Sequence, residues 1–200
     1  MRHFKTVLLS IVLVLSIVGL ELQAATPPQT QAGFITFQNT TNSGTKMSWV
    51  NGSGAGRIVV VSTTNNFATY PPINNITYNV VEEGNYSNAL NPTLGTGKVI
   101  YNGTGSKNSV DVTGLAACTT YWFRVYDYNQ GGSPSPAYNT NTRTLNPRQL
   151  KTAPAAPINL AASNITSYSA ILSWDPSGCA TSYHLDLSLG NGGAFDANIV

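Results

Sequence analysis

One stretch of the chain, GLAACTTYWFRVYDYN at residues 114–129, limits the possible fold more than any other part. Its side chains alternate between two faces, with Tyr121, Phe123, Val125 and Asp127 on one and Trp122, Arg124, Tyr126 and Tyr128 on the other. A period of two predicts a strand with one buried face and one partly wet face. The residues before it predict that Leu115 enters the core, while the Tyr121 hydroxyl bonds to upstream backbone in a tyrosine corner.

The rest of the chain up to residue 151 also has the pattern of short strands separated by turns. The predicted strands are residues 33–38, 45–50, 57–62, 98–101, 109–112, 120–128 and 143–151. A long polar insertion, residues 63–97, separates the third strand from the fourth, and insertions of this length are either functional or mobile. Asn102-Gly103 is the strongest hairpin signal. Seven short strands without a long helical pattern predict an all-β sandwich.

The chain contains an internal repeat. Shifting the sequence by 125 residues aligns NTTNSGTKMSW, which ends at Trp49, with NITSYSAILSW, which ends at Trp174, and four of eleven positions are identical. Residues 153–157 form a Pro-rich linker that favours extended backbone. A second unit is predicted at residues 158–200, with a strand at 182–187, and it would hold only the first strands of a sandwich. We therefore expect the sequence to be a fragment.

The first 24 residues have the pattern of a secretory signal peptide. Arg2 and Lys5 precede an uncharged apolar run at residues 7–20, and small residues and a Pro pair follow it. The run is shorter than the ~20 residues that a spanning helix needs, so cleavage near Ala24 is favoured over a retained membrane anchor. The predicted location is secreted or cell-surface, with no membrane span after cleavage.

The charged residues and cysteines do not indicate a nucleic-acid partner or a disulfide scaffold. After cleavage eight basic and seven acidic residues remain, and the basic ones are scattered instead of clustered. A bridge between Cys118 and Cys179 would have to cross the boundary between the two units, although an exported protein could keep it. The favoured interpretation is that Cys179 lacks its partner because the chain stops.

The repeated units resemble the fibronectin type III family, in the version repeated in large bacterial secreted and surface proteins. The resemblance covers residues 28–152 and 154–200. In the second unit Pro157, Leu160, Trp174 and Tyr183 match the family's opening strands, and in the first unit Trp49, Leu115, Thr119 and Tyr121 match its tryptophan and corner positions. Ala117 stands where the family often has Pro. The resemblance implies an immunoglobulin-like sandwich whose structural core includes Trp49, Leu115, Tyr121 and Trp174, and it implies no reaction.

The polar residues do not form a pattern typical of catalysis or of a metal site. His184 is the one histidine left after cleavage, and a zinc site needs three or four converging ligands. Glu82 and Glu83 would point to opposite faces of an extended chain, so they cannot flank one glycosidic bond. We expect no catalytic, metal or cofactor site, and the protein is predicted not to be an enzyme.

The insertion carries the one pattern that favours a ligand. Tyr70, Tyr78 and Tyr86, with Phe67, are interleaved with Asn and Pro, and tyrosine rings can stack on sugar faces. The alternative is that these rings hold the insertion on the sandwich. The predicted function is a non-catalytic spacer and interaction surface for extracellular protein or polysaccharide. The second hypothesis is the carbohydrate-binding accessory region of a secreted hydrolase with its catalytic domain beyond residue 200.

Overall fold

The computed structural model describes residues 23–132 and 135–186 of the 200-residue chain. Eleven strands and no helix are present in these ranges, so the all-β prediction is confirmed there. The predicted signal peptide lies, except for its last two residues, outside the described residues. The strands are β1 Gly33–Gln38, β2 Thr45–Val50, β3 Gly56–Ser62, β4 Thr93–Leu94, β5 Gly97–Thr104, β6 Ser109–Val112, β7 Thr120–Asn129, β8 Ala137–Tyr138, β9 Arg148–Lys151, β10 Ile158–Ser163 and β11 Ile171–Asp175.

Within residues 23–132 and 135–151, two antiparallel sheets face each other. One sheet has the order β1-β2-β6, and the other has the order β4-β5-β3-β7-β8 with β9 also paired to β7. Apolar side chains from both sheets meet between them, because alternate residues of each strand point to the same side. This inner core includes Ile35, Met47, Trp49, Val59, Val61, Ile100, Val110, Leu115, Tyr121, Phe123 and Val125.

The second face of β7 is also buried, and the prediction of a partly wet face was wrong. Tyr126 and Tyr128 join Ile58, Val60 and Val99 in an outer core on the far side of the larger sheet. This core is closed by Phe67, Tyr78 and Leu94 from the insertion and by Tyr138 of β8. The insertion acts as a third layer, which is why every residue of β3 is buried.

Buried amide side chains connect parts of the first unit that are not joined by strand pairing. Asn146 is 1% exposed, and its Nδ2 donates to Ala32 O and to Val125 O, each at 2.8 Å, while Oδ1 accepts from Val125 N. Gln31 Oε1 accepts from the amides of Asp127 and Ala32. These contacts satisfy backbone groups that would otherwise be buried without a partner.

Two other details of the strand prediction were wrong. Asn102-Gly103 is not a hairpin turn but lies inside β5, because Asn102 Nδ2 donates to Tyr78 O and its Oδ1 accepts from the Tyr128 hydroxyl. Those bonds hold Asn102 in the sheet, and the chain reverses later, near Gly105 with φ +81°. The predicted strand at 143–151 is shorter, since residues 143–147 form a tight turn before β9.

The second unit is a two-stranded antiparallel sheet of β10 and β11. Trp174 is half buried, unlike Trp49, and its ring packs against Tyr183 at a centroid distance of 5.5 Å. Residues 182–186 are not in a strand, contrary to the prediction, and the remainder of the predicted unit, 187–200, lies outside the described residues. Two strands cannot enclose a tryptophan, which explains its partial exposure.

Candidate functional site

The corner before β7 has the predicted geometry. The Tyr121 hydroxyl accepts a hydrogen bond from the Ala116 amide at 2.9 Å, and Tyr121 is 3% exposed. Leu115 packs into the inner core behind it. Gly114 has φ +70°, and a Cβ there would lie 2.6 Å from the side-chain oxygens of Asn85 and Ser87, so the turn requires glycine. The corner loop places Cys118 beside the start of the linker, where Cys118 N donates to Ala153 O.

Cys118 and Cys179 form a disulfide, so the interpretation that Cys179 lacks a partner was wrong. Their Cα atoms are 5.6 Å apart, which is within the normal range for a bridge. The prediction assumed that the unit boundary keeps the two loops apart. The linker brings them together instead, because Cys118 N donates to Ala153 O and Thr152 N donates to Thr119 O, which ties the start of the linker to the corner loop.

The insertion is attached to the sandwich at several points along its length. Tyr78 is 6% exposed, and its ring packs edge-on against Tyr138 at 5.9 Å. Asn91 is buried, and its side chain bonds to the backbone of Val81, Glu82 and Asn85. Burial beneath the insertion raises the pKa of Tyr126 to about 12. The insertion is therefore an ordered layer over the larger sheet.

An open groove of about 510 Å³ lies on the outer surface of the insertion. It is lined by Thr69, Tyr70, Pro71, Ile73, Ile76, Tyr78, Thr93, Leu94 and Gly95. Tyr70 is 46% exposed, whereas Tyr78 is buried and forms part of the groove's floor. Two of the three predicted ligand-stacking tyrosines thus lie in one concave site.

Tyr86, the third predicted stacking residue, lies elsewhere. Its ring packs edge-on against Tyr121 at 5.1 Å, and Lys98 Nζ lies 5.5 Å from the ring centroid. Burial raises the pKa of the Tyr86 hydroxyl. Its place beside the corner indicates that Tyr86 holds the insertion on the first unit instead of lining the groove.

The acidic pair of the insertion is solvent-exposed and engaged in local contacts. Glu82 accepts a hydrogen bond from Asn88 Nδ2 at 2.8 Å, and the side chains of Asn85 and Asn88 lower the pKa of Glu82. Glu83 forms an ion pair with Lys107 and raises the pKa of that lysine. The two carboxylates have separate partners and do not form one site.

His184 lies on the surface of the second unit. Its Nδ1 is 3.3 Å from Asp186 Oδ1, and 77% of its side chain is exposed. Within residues 23–132 and 135–186, no three histidine, cysteine or acidic side chains are grouped so that they could hold a metal ion. The same ranges contain no helix long and apolar enough to cross a membrane.

A buried ion pair in the first unit was not predicted from the sequence. Arg57 Nε donates to Asp127 Oδ1 at 3.2 Å, and both side chains are almost wholly buried. The guanidinium also donates to the carbonyls of Gly54, Gly105 and Lys107. The alternation of β7 had placed Asp127 on the buried face with Tyr121. A carboxylate on a buried face needs a cation, so this position indicated that a basic partner was nearby.

A comparison with models of known protein families found no match to this chain, and a comparison with curated protein sequences found none either. The fold and the site define an all-β protein with two facing sheets, an insertion that forms a third layer, and a groove on that layer.

Proposed function

We propose that this chain is an exported, non-catalytic module in which fibronectin type III-like units act as a spacer and present an interaction surface. The family assignment is supported by two facing antiparallel sheets, the Tyr121 corner and the buried Trp49. Export is supported by the N-terminal apolar run and by a disulfide, which persists in oxidising compartments.

The Cys118–Cys179 disulfide is the observation that carries the spacer role. The units are already joined through the linker that begins at Ala153, so the disulfide provides a second covalent connection. Among the described residues, one hydrogen bond joins the first unit directly to the second, from Cys179 N to Cys118 Sγ at 3.0 Å. The linker itself is bonded to the first unit through Ala153. The bridge therefore restrains the angle between the units. A spacer needs such a restraint to keep its ends apart.

A non-catalytic role fits the chemistry of the polar residues. A nucleophile needs a positioned base, and hydrolysis of a glycosidic bond needs two carboxylates that face each other. Glu82 and Glu83 instead have different partners, and His184 lies with Asp186 on the surface of the second unit. These groups do not converge on a common point.

Backbone nitrogen-15 relaxation of the oxidised chain tests the spacer role. Amides in β10 and β11 should report the same rotational correlation time as amides in β3 and β7, because the two units tumble together. In the Cys118→Ser/Cys179→Ser variant, the β10 and β11 amides should report faster, separate motion. Each single Cys→Ser variant should reproduce the double variant, since either change removes the bridge.

Two results would contradict the proposal. One is equal relaxation of the two units in the parent and in the double variant, which would mean that the disulfide does not control the joint. The other is steady hydrolysis of a polysaccharide or peptide by the purified chain, which would make it an enzyme.

A further inference from the structure

The groove on the insertion has a rigid frame. Pro71 and Pro72 follow Tyr70 directly and restrict φ. The rim at residues 73–76 is held by Pro136 and by Tyr138 of β8, since Asn75 N donates to Pro136 O at 2.8 Å and the Tyr138 hydroxyl donates to Ile76 O at 2.9 Å. The groove is therefore largely formed before any ligand arrives, which lowers the entropy that binding must overcome.

Tyr70 is held in place although much of it is exposed. Its ring lies against Gly95, where φ is +59° and a Cβ would come within 2.3 Å of Tyr70 Cδ2. The amide of Tyr70 donates to Asn66 O at 3.2 Å. Almost half of the side chain remains open to solvent. A fixed aromatic ring of this kind offers contact area at a low conformational cost.

Hydroxyl and amide groups border the apolar part of the groove. The hydroxyls of Thr69, Tyr70 and Thr93 make no hydrogen bond within the described residues, so they are available to a ligand. Beyond Gly95, the Thr96 hydroxyl contacts Thr64 and Asn66, each at 2.9 Å. An apolar platform bordered by hydroxyls matches a sugar ring, which has apolar C–H faces and polar edges.

The lack of charge in the groove does not fit an anionic ligand. None of its nine lining residues in the described part of the chain is charged. A phosphate or nucleic acid ligand would need Arg, Lys or a set of free backbone amides. A peptide strand would need unpaired backbone groups, yet the amides of Thr69, Tyr70, Ile73, Asn75 and Ile76 already donate within the protein.

We propose that this groove binds a neutral polysaccharide chain, with Tyr70 stacked on a sugar ring and Thr69 and Thr93 bonded to its hydroxyls. The assignment deepens the interaction role proposed above and rests on it. Exposed Ile73 and Ile76 extend the apolar surface along the rim of the groove.

Affinity gel electrophoresis of the full chain tests the assignment. Gels would contain laminarin, xylan, galactomannan or soluble starch, with heparin and polygalacturonate as charged comparisons. We expect at least one neutral polysaccharide to retard the chain, and calorimetry with that polysaccharide to give a measurable Kd. Tyr70→Ala should weaken this binding by about tenfold or more, because the stacking surface is lost.

Two control variants separate the stacking role from a general effect of mutation. Tyr70→Phe keeps the ring and should stay within about threefold of the parent, which corresponds to the loss of one exposed hydrogen bond. Leu90→Ala removes a 74% exposed apolar side chain from the same insertion, outside the groove, and should bind as the parent does.

The proposal is overturned if no neutral polysaccharide retards the chain, if only the charged ones do, or if Tyr70→Ala binds like the parent. Binding of a peptide with the linker sequence Ala-Pro-Ala-Ala-Pro (residues 153–157), in place of any polysaccharide, would also overturn it. The relaxation experiment on the disulfide variant tests the spacer role independently of binding. Failure of the polysaccharide proposal is therefore distinguishable from failure of the spacer proposal.

Discussion

Arg57 and Asp127 face each other across neighbouring strands β3 and β7, with Nε 3.2 Å from Oδ1 and side chains that are 2% and 0% exposed. The pair lies where the apolar core gives way to loops, and the guanidinium bonds three loop carbonyls as well as the carboxylate. Arg57 thus connects the β2–β3 loop, the β5–β6 loop and β7. Because both side chains are buried, each charge depends on the other for its stabilisation.

Replacing Arg57 by Ala should destabilise the first unit by about 3–5 kcal/mol, because the Asp127 carboxylate would be left buried without its cation. Urea unfolding followed by tryptophan fluorescence measures the change. Lys46→Ala, which removes an exposed lysine from β2, is the matched control and should shift the free energy of unfolding by no more than ~0.5 kcal/mol. Equal midpoints for the two variants would show that the buried pair is not important for stability.

The same pair should give a specific pH dependence. Burial raises the pKa of Asp127 above its ordinary value of 3.8, and Arg57 only partly offsets this effect. Because the folded protein binds this proton more tightly than the unfolded chain, the stability from Asp127 is fully present below pH 3.8 and is lost as the pH rises through the folded pKa. Stability of the parent relative to Asp127→Asn should therefore increase on acidification toward pH 3.8. Denaturation midpoints measured across this range check the sign, and a decrease would contradict it.

The tyrosine corner predicts a smaller and separate effect. Tyr121→Phe removes the acceptor for the Ala116 amide while leaving the buried ring, so it should cost about 1 kcal/mol or somewhat more. Thermal unfolding of the variant measures this loss. Tyr168→Phe makes the same chemical change at a side chain that is 99% exposed and should leave the melting temperature unchanged. If both variants melt like the parent, the corner hydrogen bond does not contribute to stability.

The corner was predictable because its determinants are local: alternation from Tyr121 and a bend at Gly114 lie within a few residues of each other. The outer core was not. Phe67, Tyr78 and Leu94 are separated by polar residues with no regular spacing, so nothing local indicates that they meet on the far face of β3 and β7. The hairpin turn predicted at Asn102-Gly103 was wrong for the same reason. The hydrogen bonds that keep Asn102 in β5 come from Tyr78 and Tyr128, which are distant in the chain.

The site was predictable in part. Aromatic content pointed to the insertion, but Tyr70 could be assigned to the groove and Tyr86 to the corner only from their positions in the fold. The disulfide also depended on distance in space, because Cys118 and Cys179 are 61 residues apart and belong to different units.

The disulfide should contribute to stability as well as to the angle between units. It closes a loop across 61 positions and so reduces the entropy of the unfolded chain, and its removal should cost roughly 2–4 kcal/mol. Guanidinium unfolding of Cys118→Ser/Cys179→Ser measures the loss. Dithiothreitol should reproduce it in the parent and have no effect on the double variant. A parent that unfolds at the same midpoint with and without the reductant would contradict this expectation.

Tyr78→Ala should release the insertion while leaving the inner core folded. Tyr78 fills the outer core, packs against Tyr138 and accepts the Ile73 amide, so its loss removes apolar burial and leaves that donor without its partner. Opening of the insertion alone requires less free energy than unfolding of the whole unit, because the lost contacts belong to that one layer. Chymotrypsin should therefore cut the variant after Phe67 much faster than the parent, with the cleavage site identified by mass spectrometry. Tyr70→Ala, which removes an exposed ring, should keep the protection at Phe67. If Tyr78→Ala resists cleavage as the parent does, the insertion is held by Asn91 and Tyr86 without help from the outer core.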